Sequence, residues 1–265
     1  MNDLNWQTAL RPKARWMVLF DLESTCSDDH GGLVIGKGEG EVIELGAVVI
    51  DLQGKTRPQG FRTLARPVGN PTLTGRCMKL TGITQDQADA APSFAEACAA
   101  LAEFLAPLNN LEGGWSWASW GQSDLRVLDA TAARYGITHP LPADRHHNLK
   151  QAFATMRADA ETLGQAPAMN RLAIKPHGRH HRALSDACNL ARLYRAMRRY
   201  DRALAAATQA LGDIDQARGW MRAGNRTLGG QRPAALLRND NELIEVIAAV
   251  LAQVVEPAPA MESAP

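Results

Sequence analysis

The stretch Trp16-Met-Val-Leu-Phe-Asp-Leu-Glu23 decides how this chain is read. It is a strand-length run of large apolar residues that carries two acids in its second half. A strand points residues i and i+2 to one face, so Asp21 and Glu23 project together from an element whose flanks are buried. Two like charges about 4 Å apart repel by about 4 kcal/mol at an effective dielectric of 20, so the pair needs a proton or a cation in the gap. Carboxylate oxygens suit Mg²⁺ or Mn²⁺. Taken alone, the pair also fits two acids at a solvated strand end.

Two acids far downstream change that balance. Asp124 follows a Trp-Gly turn, Trp120-Gly121-Gln122-Ser123-Asp124, and opens a helical pattern, and His181-Arg-Ala-Leu-Ser-Asp186 opens another. In this order Asp21, Glu23, Asp124, His181 and Asp186 resemble the DEDDh 3′-5′ exonuclease superfamily. The sister group uses Tyr-x3-Asp, and position 182 here is Arg. Further stretches are similar to the Eri-1-like exonucleases, which trim small interfering RNA and histone messenger RNA ends. They are Phe20-Asp-Leu-Glu-Ser-Thr-Cys26, Glu41-Val-Ile-Glu-Leu-Gly-Ala47, Asn70-Pro71-x-Leu73, Leu80-Thr-Gly-Ile-Thr-Gln85 and Ser119-Trp-Gly121.

The resemblance implies a ribonuclease-H-like α/β fold, a mixed central sheet with helices on both faces, over residues 14–204. It implies a two-metal hydrolysis of the 3′-terminal phosphodiester of RNA, releasing nucleoside 5′-monophosphates. In that scheme Asp21, Glu23 and Asp186 hold one Mg²⁺ or Mn²⁺, Asp21 bridges to a second, and Asp124 helps hold the second through water. His181 takes the proton of the attacking water. Leu22 and the Leu80 to Thr84 loop, with Thr81, Gly82 and Ile83, are placed beside the terminal nucleotide. Single-stranded DNA is the alternative substrate, because sugar discrimination depends on contacts to the 2′-hydroxyl.

The 265 residues are 45% apolar with a formal net charge of +1, which gives room for one large and one small core and no global polycation. Basic surface for nucleic acid must therefore be local. Cys26, Cys77, Cys98 and Cys188 are scattered, with neither a zinc spacing nor a disulfide pattern. No apolar run reaches a membrane span and residues 1–13 carry no signal sequence, so a cytoplasmic chain with no membrane partner is expected, residues 1–13 forming a tail.

Val42 to Asp51 and Phe61 to Val68 read as strands continuing a meander from the first, with Glu44 either at the rim of the acidic site or solvated. Gly31-x4-Gly36-Lys37-Gly38 lacks the Ser or Thr and the preceding strand of a phosphate-binding loop, and is set aside. Ser93 and Glu96 form a capping box ahead of a helix. Trp115-Ser-Trp-Ala-Ser-Trp120 alternates as a strand; its aromatics serve core packing, with Trp117 the candidate for stacking a base. His139, His146 and His147 read as surface histidines. Between Arg171 and Arg182 the basic residues read as a phosphate-facing loop in which only His181 acts. Arg192, Arg195, Arg198 and Arg199 fit either a solvated helix face or RNA contact.

Residues 210–256 are similar to a different family, the helical C-terminal domain of Xre/MbcA/ParS antitoxins, through Gly212-Asp-Ile-Asp-Gln-Ala-Arg-Gly-Trp-Met221, Asn225-x2-Leu228-Gly-Gly-x-x-Pro233 and Ala235-Leu-Leu237. That likeness implies a toxin partner or self-association, and with it a rival reading in which the chain is a partner-binding protein whose C-terminal domain carries the main role. A helix around Asp215 to Met221, a helix started at Pro233 and another from Asn241 follow from the residues themselves. Residues 205–212 bridge the two domains, and residues 257–265 read as a disordered tail.

Overall fold

A computed structural model of the chain describes residues 5–28, 33, 35–36 and 39–255. Five strands, β1 (Trp16–Ser24), β2 (Val42–Asp51), β3 (Gln59–Leu64), β4 (Trp115–Ser119) and β5 (His146–Asn148), form one sheet in the order β3-β2-β1-β4-β5. β1, β2 and β3 are an antiparallel meander, while β4 and β5 run parallel to β1, so the sheet is mixed as expected.

Period-two alternation splits β1 between two cores. Trp16, Val18, Phe20 and Leu22 join one with Trp115 and Trp117, while Met17 and Leu19 join the other. Asp21 and Glu23 continue the Met17 and Leu19 set. The first core is covered by α4 (Phe94–Leu105) and α5 (Ser123–Tyr135). The Ser93/Glu96 capping box starts α4, and α5 closes at Gly136. Cys98 is buried in this core, as read from the sequence. Short helices α2 (Gly75–Thr81) and α3 (Gln85–Asp89) precede α4.

The second core is organised by α8 (Ala183–Leu211), whose 29 residues extend about 44 Å at 1.5 Å per residue. Its first half packs on β1 and β2, with α6 (Leu149–Arg157) and α7 (Gln165–Arg171) beside it. Its second half packs on α9 (Ile214–Arg222) and α10 (Asp240–Val255), so that Met197, Tyr200 and Leu204 share one apolar cluster with Ala217, Met221, Val246 and Val250. The helix crosses residues 205–211 unbroken, so the expected bridge between domains is the end of α8 itself.

Residues 5–10 depart from the expected tail. They form a helical turn, α1 (Asn5–Leu10), with Trp6 and Leu10 buried. Two aromatics and one acid pin it: Trp6 donates to Asp201 at 3.2 Å, Arg11 pairs with the same carboxylate at 2.6 Å, and the Tyr194 hydroxyl donates to Ala9 O at 2.9 Å. The expected tail at 257–265 lies outside the described residues. Among them, no helix is long and apolar enough to cross a membrane.

Candidate active site

β1 delivers Asp21 and Glu23 to the sheet face covered by α8, and Asp186 meets them from the first turn of that helix. Ligand oxygens of Asp21, Glu23 and Asp186 all lie within 4.8 Å of one another. The close approach of α8 depends on β2. A Cβ on Gly46 would lie 2.2 Å from the carbonyl carbon of Ala183 and 2.4 Å from the Leu184 nitrogen, backbone atoms that cannot yield. Only glycine lets the helix start rest on the strand and bring Asp186 down to the acids.

Glu44 fixes the same helix start and is not solvated. It is fully buried, accepts from Ala183 N–H at 2.9 Å and from Arg182 at 3.0 to 3.3 Å, and also pairs with Arg62. Two guanidinium groups and a helix N-terminus compensate this carboxylate, so it serves as an anchor behind the site.

Asp21, Glu23 and Asp124 lack such compensation. Burial, then the nearby Asp124, Glu23, Asp186 and Glu44, push the Asp21 carboxyl well above its usual range. Burial, with Asp186, Glu44 and Asp124, raises Glu23 to about 8, against a smaller opposing pull from Arg182. Asp124 enters from the first turn of α5, and burial raises it to about 7 although the Ser119 hydroxyl and the Leu22 backbone oppose the shift. Clustered carboxyls that hold their protons in the absence of a cation are the donor set a hard divalent ion fits.

His181 sits at the rim. Burial and the neighbouring His180 lower its pKa, with Asp186 opposing, so its imidazole is neutral at neutral pH. Its backbone is left-handed, φ 60°, and its N–H donates to Asp186 Oδ2 at 2.8 Å. His180, treated in the sequence as an electrostatic bystander, places Nδ1 3.0 Å from both oxygens of Asp186 and its ring 4.0 Å from that of His181. Two adjacent histidines cannot be told apart by spacing. The left-handed turn at His181 is what brings both to Asp186.

Ser119 and His146 were likewise not legible as site residues. Ser119 is buried, its hydroxyl donating to Gly121 O at 2.9 Å and pairing with His146 Nε2 at 2.9 Å. His146 lies in β5 against the Trp117 ring, and burial lowers it to about 4, so it is a neutral packing partner and not the surface histidine expected.

Four of the candidate nucleotide contacts have their side chains packed into the interior. Trp117 has no exposed face: it is 0% exposed, edge-on to Phe20, and its Nε1 donates to Pro142 O at 2.7 Å. It is core because β4 is an interior strand. Thr81 and Ile83 are buried, the Thr81 hydroxyl donating to Cys77 O and accepting from Ile83 N–H, so both side chains close the end of α2. Leu22 points into the core opposite the acids. Gly82, with φ 68°, remains at the surface, but a Cβ there would meet the Arg179 guanidinium at 2.2 Å. Arg179 also donates to Lys79 O at 3.0 Å, clamping the histidine loop onto α2.

Residues 18–194 match the RNase_T exonuclease family, and residues 206–253 match the antitoxin Xre/MbcA/ParS C-terminal toxin-binding domain. The chain is similar to the 3′-5′ exonuclease eri1 of Schizosaccharomyces pombe, 28% identical over 210 residues that cover 69% of this chain and 68% of that protein. It is 25% identical over 186 residues to 3′-5′ exoribonuclease 1 of Mus musculus, covering 67% of this chain and 51% of that protein, so it spans about half the mammalian relative. The solved nuclease domain of 3′hExo, a DEDDh family member bound to rAMP, superposes with a TM-score of 0.60 at 23% identity, covering 69% of this chain and 92% of that one. That likeness shows the ribonuclease-H-like fold. With its acids gathered on such a sheet and the family match extending over more than half of its length, the chain belongs to the RNase_T exonuclease family.

Proposed function

We propose that this protein is a metal-dependent 3′-5′ exonuclease that hydrolyses the 3′-terminal phosphodiester of RNA and releases nucleoside 5′-monophosphates. The observation that supports it is the convergence of Asp21, Glu23 and Asp186 within 4.8 Å, with Asp124 beside them and none of the three paired to a lysine or arginine among the described residues. Asp21, Glu23 and Asp186, assisted by Asp124, would hold Mg²⁺ or Mn²⁺, two ions in the family scheme, which supply Lewis-acid stabilisation of the phosphate charge. His181, neutral at neutral pH, accepts at a ring nitrogen the proton of the water that attacks phosphorus. The water oxygen joins the phosphorus as the bond to the 3′ oxygen breaks, and the leaving 3′ oxygen takes a proton from solvent, leaving a shortened strand with a new 3′-hydroxyl. Asp186 keeps His181 in place through the backbone N–H, and His180 packs its ring against that of the base.

RNA is favoured over single-stranded DNA because the Mus musculus relative is named an exoribonuclease and the 3′hExo nuclease domain is bound to rAMP. Incubation with 5′-labelled RNA and DNA, with Mg²⁺, Mn²⁺ or EDTA, beside Asp21→Asn tests the reading. A metal-dependent ladder shortening from the 3′ end of RNA, absent in the variant, is expected. DNA shortened faster than RNA would move the substrate assignment, and no shortening of either would overturn the exonuclease. The likeness of residues 206–253 to a toxin-binding domain supports a second role in which these helices engage a toxin or a second copy. Light scattering alone and with a purified toxin of that partner class distinguishes the two; a monomer indifferent to the toxin overturns both.

A further inference from the structure

α8 carries Arg192, Arg195, Arg199 and Arg202 at three- and four-residue spacing, which is a single stripe of the helix. At its head, Arg192 donates to Lys175 O at 2.6 Å beneath the histidine loop. Further along, Arg195, Arg198, Arg199 and Arg202 line a trough of about 310 Å³, faced by residues 50–54 at the end of β2 and by Asp240 at the start of α10. A second concavity of about 500 Å³ shares Arg198 and carries Lys13 and Lys55.

Acids do not balance these cations. Asp51 is engaged by Arg15 at 3.1 and 3.2 Å, and Glu242, which also acts on Arg199, is engaged by Arg238 at 2.9 Å, which leaves Asp240 and Glu112 against four arginines and two lysines. Arg198 and Arg199 donate to the main-chain oxygens of Leu52 at 3.2 Å and Leu237 at 2.6 Å, contacts that fix the guanidinium groups without neutralising them. Arg195 and Arg202 are exposed and make no hydrogen bond or ion pair among the described residues. A merely solvated helix face has no need of walls from β2 and α10. A walled row of positioned guanidinium forks matches successive phosphates.

We propose that this trough binds the phosphate backbone of the RNA substrate upstream of the 3′ end, a role that rests on the exonuclease reading of the acidic site. Arg195 and Arg202 follow Asp186 by nine and sixteen residues on one continuous helix. At 1.5 Å and about 100° per residue they lie about 14 and 24 Å along the axis from it and on the opposite, exposed face of the helix, so a strand seated at the acids rounds the start of α8 before reaching them, a path of at least about four to seven nucleotides at ~3.4 Å each. Backbone contacts carry charge and no sequence information, so the trough selects for length and not for sequence. Because α10 supplies one wall, the C-terminal helices shape the RNA-binding surface as well as any protein-binding one.

The test uses the full chain with Arg195→Glu/Arg202→Glu, two exposed positions. For the active enzyme, kcat/KM is measured on a trinucleotide and on an RNA of about 12 nucleotides, a length that exceeds the span above. For Asp21→Asn, with and without the arginine changes, affinity for the longer RNA is measured by fluorescence anisotropy across salt. The reversal is expected to reduce kcat/KM on the longer RNA at least about tenfold more than on the trinucleotide, and to make the salt slope shallower by at least about 1.4, two single-strand phosphate contacts. Equal loss on both lengths, or an unchanged salt slope, overturns the trough. Melting temperature monitors folding, and Arg195→Gln/Arg202→Gln should give the same length dependence at half the charge change. If the wild type shortens no RNA, the exonuclease reading fails while arginine-dependent binding by Asp21→Asn still stands. Displacement of the RNA by polyglutamate at equal charge would assign the trough to an acidic protein and overturn the RNA assignment.

Discussion

At the scale of single residues the site is a set of charges left unbalanced for a purpose and held by others that are balanced. Glu44 and Asp186 are both buried carboxylates, yet Glu44 is saturated by Arg62, Arg182 and a backbone N–H, while Asp186 receives His180 and the His181 N–H and keeps an edge toward Asp21 and Glu23. His181 adopts a left-handed backbone that costs a non-glycine residue about 1 to 2 kcal/mol. Its side chain therefore works against the fold, at the position where the proposed mechanism needs a base. His181→Ala is expected to lower kcat by about 10² to 10⁴ through loss of the base. His181→Gly should lose the same activity while melting at least as high as wild type, because glycine takes the left-handed conformation without strain. Near-wild-type turnover in either variant would remove His181 from the proposed chemistry, and a sharply lower melting temperature for the glycine variant would show that the ring itself supports the loop.

At the scale of elements, the meeting of β2 and α8 decides whether there is a site at all. The strand offers Gly46 where the helix backbone lands and Glu44 where its first N–H groups need an acceptor. Gly46→Ala must push Ala183 and Leu184 away, and Asp186 moves with them. The expected loss is about 1 to 3 kcal/mol of stability, as for other overpacked contacts, with catalysis falling by more than the folded fraction does. Urea denaturation and the RNA assay run side by side separate the two. Activity that merely tracks the folded fraction would show that the helix start is free to shift without harm.

At the scale of the molecule, the uncompensated acids tie stability to pH and to metal. A carboxyl whose pKa is higher folded than unfolded stabilises the fold below the unfolded value, and that contribution is lost as pH rises through the folded one. For Glu23 the window runs from 4.5 to about 8, and for Asp124 from 3.8 to about 7. The metal-free protein should therefore melt lower as pH rises across these windows. Mg²⁺ or Mn²⁺ binds the ionised, folded site, so it should restore the melting temperature most at the alkaline end. Glu23→Gln should flatten the metal-free slope. A melting temperature that climbs with pH in the absence of metal would mean that the acids are already neutralised within the chain.

Much of this was legible in the one-dimensional pattern. Asp21 and Glu23 share a face because a strand has period two, and the runs from Val42 to Asp51 and from Trp115 to Ser119 are strands by composition and alternation. The capping box at Ser93 and the stop at Gly136 mark helix ends through local hydrogen bonding and backbone freedom. Local chemistry of this kind is written in neighbouring residues, and the chain by itself determined it. Tertiary structure alone decided the rest. Trp117 is core and not a stacking platform because β4 lies inside the sheet, and residues 5–10 are packed because Asp201 and Tyr194, nearly two hundred positions on, supply their partners. Arginines that read equally well as a solvated face line a trough only because β2 and α10 wall it. Burial, pairing and shifted titration depend on which distant segments meet, and spacing along one chain carries no record of that meeting.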